Sequence, residues 1–245
     1  MDIAKRIQEK ITVNSQIRNE LDLEEKSNSI IITIGSSAFY KASKKADIKI
    51  ITSFIPHTTN INKAEDEIFP YYSEPSPEQI LSFFSKHFSS AKVGILYSDS
   101  DIEFISSLES IFRNSNNTLI PIKHSKNDVF DSIRALIKKD MDIMLITKNK
   151  EIYSSKKIRF VIEALSRKRI PTITTSPSLL RAGSVASITP NEEETISSIA
   201  TLASQLHKNK KITDDTREEP NNITVKTNKS MMKLFNLNIY EGGSQ

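Results

Sequence analysis

The chain has 245 residues, no cysteine, and 34 basic against 30 acidic side chains, a net charge of +4. The missing cysteines exclude disulfides, thiolate catalysis and thiolate zinc sites, and His57, His87, His124 and His207 stand isolated, so no metal or other cofactor is implied. Acidic residues lie among the basic ones, which argues against a nucleic-acid surface, and no run approaches the ~18 apolar residues of a membrane span.

Ile3, Ile7 and Ile11 recur every fourth residue and predict an amphipathic helix at once. The opening MDIAKRIQEKI lacks the apolar core of a signal peptide. Residues 13–28 are polar and unpatterned. Strands and helices then alternate: a strand over 30–34, a helix over 37–45, a strand over 48–54, and a loop with at most a helical turn over 60–70. Ser76-Pro77-Glu78-Gln79 has the make-up of a capping box and opens a helix that runs to His87. Further strands are expected over 92–97, 118–123, 142–147, 171–175 and 184–189. Helices are expected between them over 101–113, 128–139 and 152–167, with one more over 192–207. Residues 208–221 read as a charged connection, 222–227 as a last strand, 228–235 as a short helix and 240–245 as tail.

Apolar strands separated by helices imply α/β architecture, with parallel sheets covered on both faces. The rhythm suggests two doubly wound lobes: 1–90, to which 190–208 returns, and 91–189, with 209–239 bridging them. In such sheets ligands bind beyond the carboxyl ends of the strands. That rule selects the turns Gly35-Ser36-Ser37, Phe54-Ile55-Pro56-His57, Tyr97-Ser98-Asp99-Ser100, Thr147-Lys148-Asn149 and Thr175-Ser176-Pro177, and within them Gly35 to Ser37, Pro56, His57, Tyr97 to Asp99, Thr147, Thr175 and Ser176 are the expected ligand contacts. Gly35, Gly94 and Gly183 should each answer a backbone need, either positive φ or close approach. Gly35 stands where helix amides point outward, a place for a carboxylate or polar oxygen; a plain turn with a capping serine is the other reading. The stretch from Tyr97 to Ser100 has the make-up of a helix cap, His57 reads as a loop histidine, and Lys148 as a solvated strand-end lysine. There is no P-loop, no GxGxxG and no GxSxG elbow, so no catalytic constellation emerges and the chain reads as a binder, not an enzyme. An α/β enzyme of glycosyltransferase type is the weaker rival, and detectable turnover would decide for it.

Five segments, in order, resemble the uncharacterised ABC-transporter substrate-binding proteins of bacteria, which have the periplasmic binding protein type I fold. They are Ile31-ITIGSSAFYKA, Lys49-IITSFIPH, the run from Ser73 through Gln79 to Asp101, Arg169-IPTITTSPSLLRAGSVASI, and Val225-KTNKSMMKLFNLNI. Phe88-Ser89-Ser90 lacks the family's proline, and Asn236 replaces a glycine. The resemblance implies a monomeric, periplasmic solute-binding protein that closes its lobes by a hinge on a small polar ligand and serves an ABC permease. An orphan sensor or regulatory module that answers to a membrane sensor is the alternative. Family members start with a leader and a strand, so the resemblance also implies that the first strand of lobe one is missing here and encoded upstream with a signal peptide.

Overall fold

The computed structural model describes residues 2–11, 29–44, 48–61, 67–124, 128–208 and 220–241. Expectations for 13–28, for most of the charged connection 208–221 and for the end of the tail lie outside the described residues.

The isoleucine repeat forms α1 (Ile3–Lys10), whose N-cap Asp2 carboxylate accepts from the Ala4 amide at 3.2 Å. Next come β1 (Ile30–Ile34), α2 (Ser36–Ala42), β2 (Lys49–Ile55) and β3 (Ile68–Tyr72). The last is a correction, because the sequence gives a loop over 60–70. Pro70 cannot donate to a ladder and argues against a strand, but β3 lies at a sheet edge, where one side needs no partner. In α3 (Pro77–His87) both capping-box bonds form: the Ser76 amide donates to Gln79 Oε1 at 2.9 Å and the Gln79 amide to Ser76 Oγ at 3.3 Å.

There follow β4 (Lys92–Tyr97), a 3-10 turn over Asp99–Asp101, α4 (Ile102–Phe112), β5 (Thr118–Lys123), α5 (Val129–Ile137), β6 (Ile143–Ile146) and α6 (Lys157–Arg167). The chain closes with β7 (Thr172–Thr174), a 3-10 turn over Pro177–Ala182, β8 (Ala186–Pro190), α7 (Glu192–His207), β9 (Ile223–Thr227) and α8 (Lys229–Phe235). α6 begins at Lys157 rather than Ile152. The Asn149 side chain accepts from the amides of Glu151 (2.8 Å) and Ile152 (3.2 Å) and holds that segment in an Asx turn.

The chain divides into two compact units, Met1–Ser73 with Pro190–Asn222, and Glu74–Thr189 with Ile223–Gln245. The first is built on a three-stranded parallel sheet, β1-β2-β3. Ile7 of α1 and Ile196, Ile199, Leu202 and Leu206 of α7 cover Ile51 and Tyr71, while Phe39 and Ala42 of α2 pack with Ile50 in a separate cluster. Arg6 pairs with Glu192 and Glu193, fastening α1 to α7.

The second unit has a six-stranded sheet, order β5-β4-β6-β7-β8-β9. Phe83, Phe84, Phe104, Leu108 and Phe112 of α3 and α4 share one core with Val93 and Ile95, and Ile133, Leu136, Val161 and Leu165 of α5 and α6 share another with Leu96 and Met144. Helices thus cover both faces, as in a doubly wound sheet. α3, read with the first lobe from its place before residue 90, belongs to this second core because its apolar face meets β4. β9 and α8 join this unit as well.

Gly94 sits in β4 where an added Cβ would run into Met141 Sδ, the close approach expected of it. Among the described residues no helix is long and apolar enough to cross a membrane.

Candidate functional site

From β4 the chain moves outward to β5, then returns to β6 on the other side of β4. The carboxyl ends of β4 and β6 therefore flank a topological switch point, where open α/β sheets bind ligands. A buried polar network occupies this place. Asp101, 4% exposed, accepts at Oδ2 from the Ser98 amide (2.9 Å), the Ser98 hydroxyl (3.3 Å) and Asn149 Nδ2. Asn149 Nδ2 also donates to Ser98 Oγ at 2.7 Å. Glu74, 3% exposed, accepts at Oε1 from the Lys148 amide and from the Thr175 hydroxyl, both at 2.8 Å. The ends of β4, β6 and β7 are thereby held by two buried carboxylates and one carboxamide.

Burial pushes the Asp101 carboxyl up, against the Ser98 and Asn149 donors that favour its charged form; the Glu74 charge adds to the rise. Lys148 is largely buried rather than solvated. That burial pulls its ammonium down, and Glu74 offsets part of the loss. The Tyr153 hydroxyl is buried with no hydrogen-bond partner among the described residues, and burial together with the Asp101 charge keeps it protonated.

The turns named from the sequence fare differently. Ser98 and Thr175 enter the network, and Thr147 is buried at the end of β6. The Ser176 amide donates to Thr174 Oγ1 at 3.1 Å, and its hydroxyl lies 3.0 Å from that of Ser178. Tyr97 packs part of its ring against the core. Asp99 is exposed and pairs with Lys123 at 2.6 Å, outside the network.

In the three-stranded unit, Gly35 caps α2 at φ +80° and ψ 159°, and its amide donates to the Ser53 carbonyl at 2.8 Å. An added Cβ there would meet nothing within 4 Å, so the need is for positive φ and not for close approach. Ser36 Oγ lies 2.9 Å from Thr59 Oγ1, whereas Ser37 is exposed. His57, one residue after Pro56, stacks on Tyr72 with ring centroids 4.1 Å apart. Phe54, at a bulge in β2, takes φ 55°, a costly conformation for a bulky residue.

Glu74 and Asp101 were not among the expected site residues, whereas Asn149 closes the Thr147-Lys148-Asn149 turn that the strand-end rule selects. Asp101 had a local signal, since Ser98-Asp99-Ser100-Asp101 is a serine with an acid three residues on, and the capping box forms. Glu74 had none, because its partners lie 74 and 101 residues away.

Solved structures share this architecture. A substrate-binding protein with adhesive properties from Clostridium difficile, in a ligand-free, open structure, aligns with a TM-score of 0.61 at 14% identity, over 85% of this chain and 74% of its own. A conserved domain protein from Vibrio cholerae aligns with a TM-score of 0.61 at 13% identity, over 98% of this chain and 81% of its own. An ABC domain from Streptococcus pneumoniae, in complex with L-Trp, aligns with a TM-score of 0.57 at 13% identity, over 98% and 83%. No protein-family model matches the chain, and no curated protein matches it. The chain has the periplasmic binding protein type I fold seen in ABC-transporter substrate-binding proteins.

Proposed function

We propose that this protein is a solute-binding protein of an ABC-type uptake system, working in the periplasm and passing a small polar ligand to a permease. The observation that carries this reading is the hydrogen-bonded carboxylate network at the β4/β6 switch point. Burying two carboxylates costs stability unless donors satisfy them. Here the donors are the strand-end turns themselves, so the network fixes the shape of a polar rim before any ligand arrives. Such preorganisation lowers the ordering cost of binding.

The ligand would touch Gly35, Ser36, Ser37, Pro56 and His57 from the three-stranded unit, and Tyr97, Ser98, Asp99, Thr147, Thr175 and Ser176 from the six-stranded one. The chain passes between the units after Ser73, Thr189 and Asn222. A ligand engaging both rims would favour a closed state by its differential affinity for that state. That the Streptococcus pneumoniae counterpart was solved with L-Trp makes amino acids the first class to try.

A thermal-shift screen against amino acids, small organic acids, nucleosides and oligosaccharides should return at least one stabilising class. Tyr97→Ala should then weaken binding of that hit by about 1–3 kcal/mol. Protection of a Gly35→Val/Tyr97→Ala double variant equal to that of the parent would remove these rims as the site.

A further inference from the structure

Charge that nearly balances over the whole chain is uneven along it. Between Lys150 and Arg181 eight basic residues stand against two acidic ones, Glu151 and Glu163, so these 32 residues carry +6 and the other 213 carry −2. All eight basic side chains are exposed. The segment is centred on α6, an amphipathic helix whose inner face, Ile158, Val161, Ile162 and Leu165, is buried. Its outer face presents Phe160, 61% exposed. At 100° per residue, Lys156, Lys157, Arg167 and Lys168 all fall within about 80° of Phe160. Glu163 shares this face but is paired with Arg167 at 2.6 Å. Lys157 Nζ lies 3.6 Å from Asp128.

The cations are also placed against the helix's own preference. Lys156 is the N-cap, Lys157 and Arg159 follow in the first turn, and that turn holds no acid. A helix amino terminus favours negative charge, so this arrangement gives up stability in the free protein. An external anionic surface would restore it.

We propose that the outer face of α6 docks on an anionic lipid bilayer. Lysines and arginines surrounding one exposed aromatic ring are the make-up of an interfacial helix. The ring seats at the boundary of headgroups and acyl chains while the cations meet the headgroup charges. Basic residues at both ends of α6, about 16 Å apart along its axis, would let the helix lie flat on that surface. Flexible lysine stems suit charges that diffuse in the bilayer plane better than a fixed protein epitope.

The test is co-sedimentation of the full chain with vesicles of about one-third phosphatidylglycerol in phosphatidylcholine, against phosphatidylcholine alone, at about 0.05 M and 0.3 M salt. Binding should require phosphatidylglycerol and be lost at the higher salt. Lys156→Glu/Lys168→Glu should lower partitioning by at least about tenfold, given roughly fivefold per cation at an anionic surface. Phe160→Ser should lower it several-fold at unchanged charge. These positions are exposed, so melting should not change, and Phe160→Ser serves if the charge reversal disturbs the fold. Lys41→Glu/Lys44→Glu, the same charge change at and just after α2, should bind like the parent. The proposal is overturned by binding to neither vesicle, by equal binding to both, or by an equal loss in the α2 control.

Discussion

The two units share a parallel βα rhythm but finish their strand ends by different means. In the six-stranded unit the rim is held by side chains, with the buried Glu74 and Asp101 each accepting hydrogen bonds from the turns they fix. In the three-stranded unit the described rim turns on backbone conformation: Gly35 takes φ +80° and Phe54 φ 55°, beside the Ser36–Thr59 hydroxyl pair, the Ser53 hydroxyl donating to the Thr33 carbonyl and the stacked His57–Tyr72 rings. The first kind of rim should fail when a polar atom is deleted, and the second when a dihedral angle is forbidden.

The units can be separated by melting. Phe84→Ala opens a cavity in the core of the six-stranded unit and should cost about 3–5 kcal/mol, the largest effect expected. Calorimetry should show the loss in one transition, and an equal shift of both would mean that the units melt as one body. Glu74→Ala leaves the Lys148 amide and the Thr175 hydroxyl without their acceptor and should cost about 3 kcal/mol. Glu74→Gln keeps an acceptor and should cost less; equal urea midpoints for the two variants would deny Glu74 its bonding role. Gly35→Val imposes a β-branched side chain on a conformation kept almost wholly for glycine. About 2 kcal/mol should be lost, from the three-stranded unit's transition alone.

The smallest effect is a pH slope. The Asp101 carboxyl is raised by burial, so between the ordinary carboxylate range and its raised value the folded protein holds a proton that the unfolded chain releases. Stability therefore falls as pH rises through that window. Asp101→Asn should flatten this part of the profile in urea titrations carried upward from the ordinary carboxylate range. A slope unchanged by the substitution would assign it to other groups.

Local rules made much of the fold legible. Isoleucine-rich runs marked the strands, and the capping boxes at Ser76 and Ser98 marked where helical structure begins. What escaped was set by distant neighbours or by position in a sheet. Pro70 disguised β3 because nothing local says that a strand will be an edge. Lys148 read as solvated because its burial comes from the fold around the end of β6. Glu74 was invisible for the same reason, being tied to turns far along the chain. Charge misled in the opposite direction: the near balance of basic and acidic residues over the whole chain hides the local excess between Lys150 and Arg181, and helical periodicity puts Lys156, Lys157, Arg167 and Lys168 of that stretch on one face with Phe160.

Covering the three-stranded sheet with α7 has a consequence for synthesis. The strands of that sheet are complete once Tyr72 has emerged, but the helix that buries Ile51 and Tyr71 is not finished until His207. At ribosomal speeds of about 5–20 residues per second, the nascent chain carries an apolar sheet face that has α1 but not yet α7 to cover it for roughly 7–27 s. Throughout that interval the six-stranded unit is being made downstream of it. The first unit to be translated is thus among the last to close, and a holdase or the ribosome surface has a defined apolar face to guard until α7 arrives.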